Sequence, residues 1–128
     1  MYIELIEWIV FWIGMAMVFI GAICDLIAAI GLLRFPNFFL RIHSATVGII
    51  GGAVVPLIGI SLIALVTPQL GSYRIPFAIT SFLSAIIIMI VAPIGTHVLA
   101  YAAYHTKSPP PQPIAIDLLE KLKKGEER

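Results

Sequence analysis

Charge is what this sequence has least of. Only 12% of its 128 residues are charged and 60% are hydrophobic, with a mean hydropathy of +1.04. A soluble globular domain carries about twice that share of charge. The net charge of +1 supplies no basic surface for nucleic acid. The single cysteine, Cys24, excludes an internal disulfide, no zinc-ligand spacing occurs, and the thiol reads as buried and inert. Side-chain amides are confined to Asn37, Gln69 and Gln112, a scarcity shared with thermophile chains. No internal repeat, metal-ligand cluster or nucleophile constellation is present. These absences point to a non-catalytic chain with no cofactor of its own.

What is present is long apolar runs, at about 6–33, 47–66 and 77–104. A helix needs about 20 apolar residues to cross the hydrocarbon core. All three runs reach that length, and the first and third exceed it, which implies tilt. The first lacks a basic leading segment and is too long for a cleavable signal peptide. The expected fold is an all-α integral membrane protein with three transmembrane helices. Residues 1–106 form the membrane domain, with a connection at 34–46. Residues 107–128 form a Pro-rich linker and a short amphipathic tail, its apolar positions Ile114, Leu118, Leu119 and Leu122 followed by cations.

The few cations set the expected orientation. Arg34, Arg41, Lys107, Lys121, Lys123, Lys124 and Arg128 fall in the first connection or the tail, and only Arg74 falls in the other connection. Basic flanks stay cytoplasmic, so the N-terminus is expected outside and the C-terminus inside. Trp8 and Trp12 then mark the outer interface, and Tyr101 and Tyr104 the inner one. Glu4 and Glu7 have no cation near them in sequence. The outer turn, 67–76, carries Pro68, Gly71 and Pro76.

Small residues recur on one face of each span. Gly14, Gly21 and Ala28 do so in the first, Gly48, Gly52 and Gly59 in the second, and Ser81, Ala85, Ala92 and Gly95 in the third. Such faces let helix backbones approach closely. Asp25 lies about 20° from the centre of the first stripe. A carboxylate at that depth is costly unless neutral, paired or hydrated, so it is the leading ion-path candidate. Arg34 stands nine residues further on, about 13 Å along the helix and half a turn round it, too far to pair. His97 stands ten residues before Lys107, which predicts a depth like that of Asp25. Its position on the wheel, about 160° from Ser81, turns it toward a neighbouring subunit. Pro56 and Pro93 complete the ion-path candidates, because each lacks an amide and frees the carbonyl four residues back, that of Gly52 and of Met89.

The most motif-like stretch runs through Arg34, Phe35, Pro36, Asn37, Phe38, Phe39, Leu40, Arg41, Ile42, His43, Ser44, Ala45 and Thr46. Phe35, Phe38, Phe39 and Ile42 share a helical face, and Arg34 and Arg41 share the opposite one. Pro36 suits a first turn. The stretch reads as a short helix lying in the inner interface.

Here the sequence resembles the G subunit of Mrp-type multisubunit sodium/proton antiporters. Gly31, Arg34, Pro36, Arg41, His43, Ala45 and Thr46 match that family's pattern in register. A second block, Ala92, Pro93, Ile94, Gly95, Thr96 and His97, then Ala102, Ala103 and Tyr104, is also similar. Asn37 stands for the usual Asp, Phe39 for Tyr, Leu40 for Thr, Ser44 for Ala and Val47 for a frequent Lys, the marks of a divergent branch. The resemblance covers about residues 1–106. It implies an accessory subunit of the plasma membrane, which helps form the translocation region with small E- and F-like subunits and an A-like subunit. Arg34, Pro36, Arg41, His43 and Thr46 are then subunit-interface candidates. The same subunit type occurs in membrane-bound hydrogenases and related redox complexes, so hydrogenase-type partners are a second expected setting. Two other readings remain at this point: a structural assembly subunit with no ion path, and a small self-sufficient multidrug-type exporter. Three spans and the Arg–Pro–Arg–His loop count against the exporter.

Overall fold

The computed structural model describes residues 1–106, and the linker and tail expectations for 107–128 lie outside the described residues. Helix α1 spans Tyr2–Arg34. The next long helix has three parts: α2 at Phe38–Val47, a π-helical segment at Gly48–Val54, and α3 at Val55–Val66. A 3-10 turn at Pro68–Tyr73 leads into α4, Arg74–His105. No strand occurs among the described residues. Three helical stretches are long and apolar enough to cross a membrane, at Tyr2–Arg34, Phe38–Val66 and Pro68–His105. Helices suit that solvent because they satisfy every backbone polar group internally.

Residues 38–46 are helical and continuous with the second span. The break is confined to 35–37. Pro36 keeps Phe35 out of the helical region (φ −70°, ψ 129°), which ends α1. Pro36 therefore lies in the link and not in a first helical turn. Asn37 is extended as well, and α2 starts at Phe38. From there the backbone stays helical through Gly48 (φ −59°, ψ −48°) and Val55 (φ −62°, ψ −47°), so the expected surface helix is the opening of the second span. Its polar residues are accommodated on the helix. Thr46 donates to the Ile42 carbonyl at 3.0 Å, and Arg41 Nε reaches back to the Phe35 carbonyl at 2.8 Å.

The middle helix is the scaffold. α1 and α4 pack on it from either side and scarcely touch one another. The buried positions are small: Gly14, Gly21, Ala28 and Gly31 on α1, and Ala78, Ser81, Ala85 and Ala103 on α4. Bulky apolar residues such as Phe19, Leu33, Ile87 and Val98 point outward. This inverts the soluble pattern, since lipid and neighbouring subunits are as apolar as the interior. The third-span stripe is only partly used. Ser81 and Ala85 are packed, whereas Gly95 is exposed, with nothing within 4 Å of where its Cβ would stand.

Two buried hydroxyls fix the register. Ser44 donates to the Ala28 carbonyl and Ser61 to the Ala78 carbonyl, each at 2.9 Å. At the opposite end from Arg41, the turn is tied by Arg74. Its Nε donates to the Leu65 carbonyl, and its Nη2 lies 3.8 Å from Glu7. Glu7 thus has the cation that its sequence neighbourhood lacks. Gly71 takes φ 52° in this turn, a conformation other residues adopt at a cost.

Candidate functional site

Asp25 is carried by the face of α1 that meets the π-helical segment. Its carboxylate lies over the open side of Gly52, where a Cβ would strike it, and 3.7 Å from where a Cβ of Gly48 would stand. The two glycines therefore form a notch for the carboxylate. One turn nearer the Trp8 end, a Cβ on Gly21 would strike the Pro56 ring, and it would lie 3.2 Å from the Gly51 carbonyl oxygen. Cys24 packs against Gly51, with Sγ 3.0 Å from that residue's Cβ position, and is half-buried where full burial was expected. Asp25 has no hydrogen-bond or ion-pair partner among the described residues.

Pro56 sets the hydrogen bonding of this segment. The Val55 amide donates to Ile50, five residues back, as a π-helix requires. The next rung in that register would run from Pro56 to Gly51, and proline has no amide. In that register the rung lost at proline is the one to the Gly51 carbonyl, where the α-helical count gives Gly52. The open register also gives the proline ring the room it lacks against a preceding α-helical turn.

The other expected residues lie elsewhere. His97 is exposed and has no partner among the described residues. The Ser61–Ala78 bond fixes the register of the antiparallel helices, so the α4 residue level with Gly52 is near Ile87. His97 stands ten residues beyond, roughly 15 Å toward the Arg41 end, and is not at the depth of Asp25. Pro93 is exposed within an uninterrupted α4, where Thr96 donates to the Pro93 carbonyl at 3.0 Å. Arg34 and His43 are exposed and unpaired among the described residues, Arg41 is held by the Phe35 carbonyl, and Thr46 is half-buried. A broad groove at the Trp8 end, lined by Glu4, Glu7, Trp12, Thr67 and Gln69, contains none of the candidates.

Sequence reasoning missed the Gly51 carbonyl and the Ser44 hydroxyl. The signal for Gly51 was the glycines at 48, 51 and 52 followed by Pro56, but it points to Gly51 only once the five-residue register is known.

Residues 17–104 match the family model described as Na+/H+ antiporter subunit. The chain is similar to antiporter subunit mnhG2 of Staphylococcus epidermidis, 32% identical over 101 residues, covering 79% of this chain and 62% of that protein. It is also similar to the proteins of the same name from Staphylococcus saprophyticus, 32% identical over 73% of this chain and 60% of that one. For Staphylococcus haemolyticus the values are 34%, 73% and 52%. The chain spans about three-fifths of the length of the first of these relatives.

Proposed function

We propose, on the premise that this multi-pass membrane chain belongs to the Na+/H+ antiporter subunit family as its Mrp-type G subunit, that Asp25 lines a sodium or proton path. In this reading the chain is an accessory subunit without chemistry or cofactor of its own. It works beside small E- and F-like subunits and an A-like subunit, with its N-terminus outside and its C-terminus in the cytoplasm. The assembly is either a stand-alone exchanger or the antiporter module of a redox-driven complex. Arg34 and His43, exposed at one end of the described helices, are its contacts with neighbours.

One observation carries the reading: an exposed carboxylate nine residues from the end of an apolar helix, lying over Gly52 and without a partner among the described residues. Such a group persists at that depth where water, an ion or a partner reaches it. The test is sodium-driven proton movement in membrane vesicles holding the assembled complex with Asp25→Asn. Exchange should fall to a small fraction of wild type at unchanged subunit content, and Cys24 beside it should react with a small water-borne thiol reagent. Full exchange in Asp25→Asn would sink the proposal. It would favour a structural role, for which the small-residue packing of all three spans already gives a reason.

A pull-down in mild detergent separates the two settings. Antiporter subunits alone identify an exchanger, and the same subunits with iron–sulfur or nickel–iron proteins identify a redox-driven complex.

A further inference from the structure

We infer that Asp25 and the Gly51 carbonyl are two ligands of one station that holds either a proton or a sodium ion, never both. The inference rests on the path reading above and specifies its chemistry. Two independent observations meet at this point. Asp25 offers an exposed carboxylate with no partner among the described residues, and Gly51 offers a carbonyl with no backbone donor, because Val55 bonds to Ile50 and Pro56 has no amide. The Gly51 carbonyl belongs to the peptide that leads into Gly52, and the Asp25 carboxylate lies over the open face of Gly52.

Apolar surroundings require a freed carbonyl to be satisfied by a hydrogen bond, water or an ion. In the protonated state the Asp25 carboxyl donates its hydrogen to the Gly51 oxygen, which satisfies both groups with no net charge. When sodium enters, the proton leaves, and carboxylate and carbonyl become oxygen ligands of the cation. The charge balances, one H+ released for one Na+ bound. Carbonyls released by interrupted helices serve hard monovalent cations in this manner. The middle helix presents glycines to Asp25 and no titratable side chain there. On α1 the adjacent thiol of Cys24 is turned toward Gly51. Proton and sodium therefore compete for the same two oxygens, with the Cys24 thiol as the adjacent ionisable group on α1.

Pro56 is then a positioning residue. Its missing amide keeps the carbonyl free, and an alanine at this position restores a donor that occupies it.

The test uses membranes containing the assembled complex. Labelling of Asp25 by dicyclohexylcarbodiimide, which attacks the protonated carboxyl, is followed by mass spectrometry of the α1 peptide. Sodium chloride is compared with potassium chloride at equal ionic strength. Sodium should slow labelling and potassium should not. In Pro56→Ala, labelling without sodium should persist, while half-protection should need about tenfold more sodium, the loss expected for one ligand among several. Equal sodium requirement in Pro56→Ala and wild type would remove Gly51 from the ligand set. Labelling that sodium never slows would overturn the station and leave a proton path at Asp25. Absence of labelling under every condition would overturn the station and the path together. Should Pro56→Ala fail to assemble, the wild-type comparison of sodium with potassium decides alone.

Discussion

Gly21 and Pro56 are fitted to each other across the α1–middle helix contact: the proline ring occupies the space a Gly21 side chain would fill. The pair places the interruption of the middle helix one turn from Asp25. Gly21→Ala should destabilise the packed helices by about 1–3 kcal/mol, the usual cost of overpacking against a rigid neighbour. Thermal melting in detergent measures it. Gly95→Ala is the control, with no effect expected on the isolated chain, because that position opens onto empty space.

Gly52→Ala should behave differently. Its Cβ meets the end of a flexible side chain and not backbone, so the helices stay together and the carboxylate swings away. Assembly should be retained while sodium-driven proton movement falls as in Asp25→Asn. Normal exchange in Gly52→Ala would show that the notch does not position the carboxylate.

Ser44 donates to the Ala28 carbonyl at 2.9 Å in a buried setting. Ser44→Ala should cost about 0.5–1.5 kcal/mol, the net worth of one such bond. Gly31, packed against Ser44, should then tolerate Ala better, because the serine hydroxyl is what its side chain would strike. A double-mutant cycle on melting temperature reads that coupling.

Arg74 joins the turn to α1, and its two contacts are unequal. The Glu7 pair at 3.8 Å is more than a third exposed on each side, so its coupling should be under about 1 kcal/mol and weaken with salt. Arg74→Gln should therefore cost more than Glu7→Gln, because it also removes the donor to the Leu65 carbonyl near the end of α3. Equal losses would assign the stabilisation to the ion pair.

The two arginines of the first link should separate by assay. Arg41→Ala leaves the Phe35 carbonyl without its donor and should lower the melting temperature of the chain itself. Arg34→Ala should leave stability alone and loosen co-purification with partner subunits. Unchanged co-purification in Arg34→Ala would count against Arg34 as a contact.

Hydropathy alone made the three spans legible, because a helix satisfies its own backbone in lipid along so long an apolar run. The stripes of Gly14, Gly21 and Ala28 and of Gly48 and Gly59 were legible by period, and they are the faces that pack. Residues 34–46 were misjudged as a separate segment because Arg41, His43, Ser44 and Thr46 read as a boundary. On the helix those groups find partners or exposed positions, and polarity in sequence does not tell which.

Asp25 was visible as the one acid well inside an apolar run, since its cost in hydrocarbon depends on its charge and depth. That His97 lies far from it was not visible, because depth was counted from flanking charges and the real register is set by Ser61 and Ala78. Nor could composition decide which carbonyl Pro56 frees. Helical periodicity fixes which residues share a face, but a four- and a five-residue hydrogen bond differ in which carbonyl proline leaves free, and Val55 bonding to Ile50 is seen only in the folded helix. The sequence by itself determined three membrane-spanning helices, their small-residue seams and the acid among them. Only the tertiary structure decided that the middle helix opens at Gly48–Val54 and that the Asp25 carboxylate lies over Gly52 of that segment, because which residues of two helices meet is set by their packing and not by the periodicity of either one.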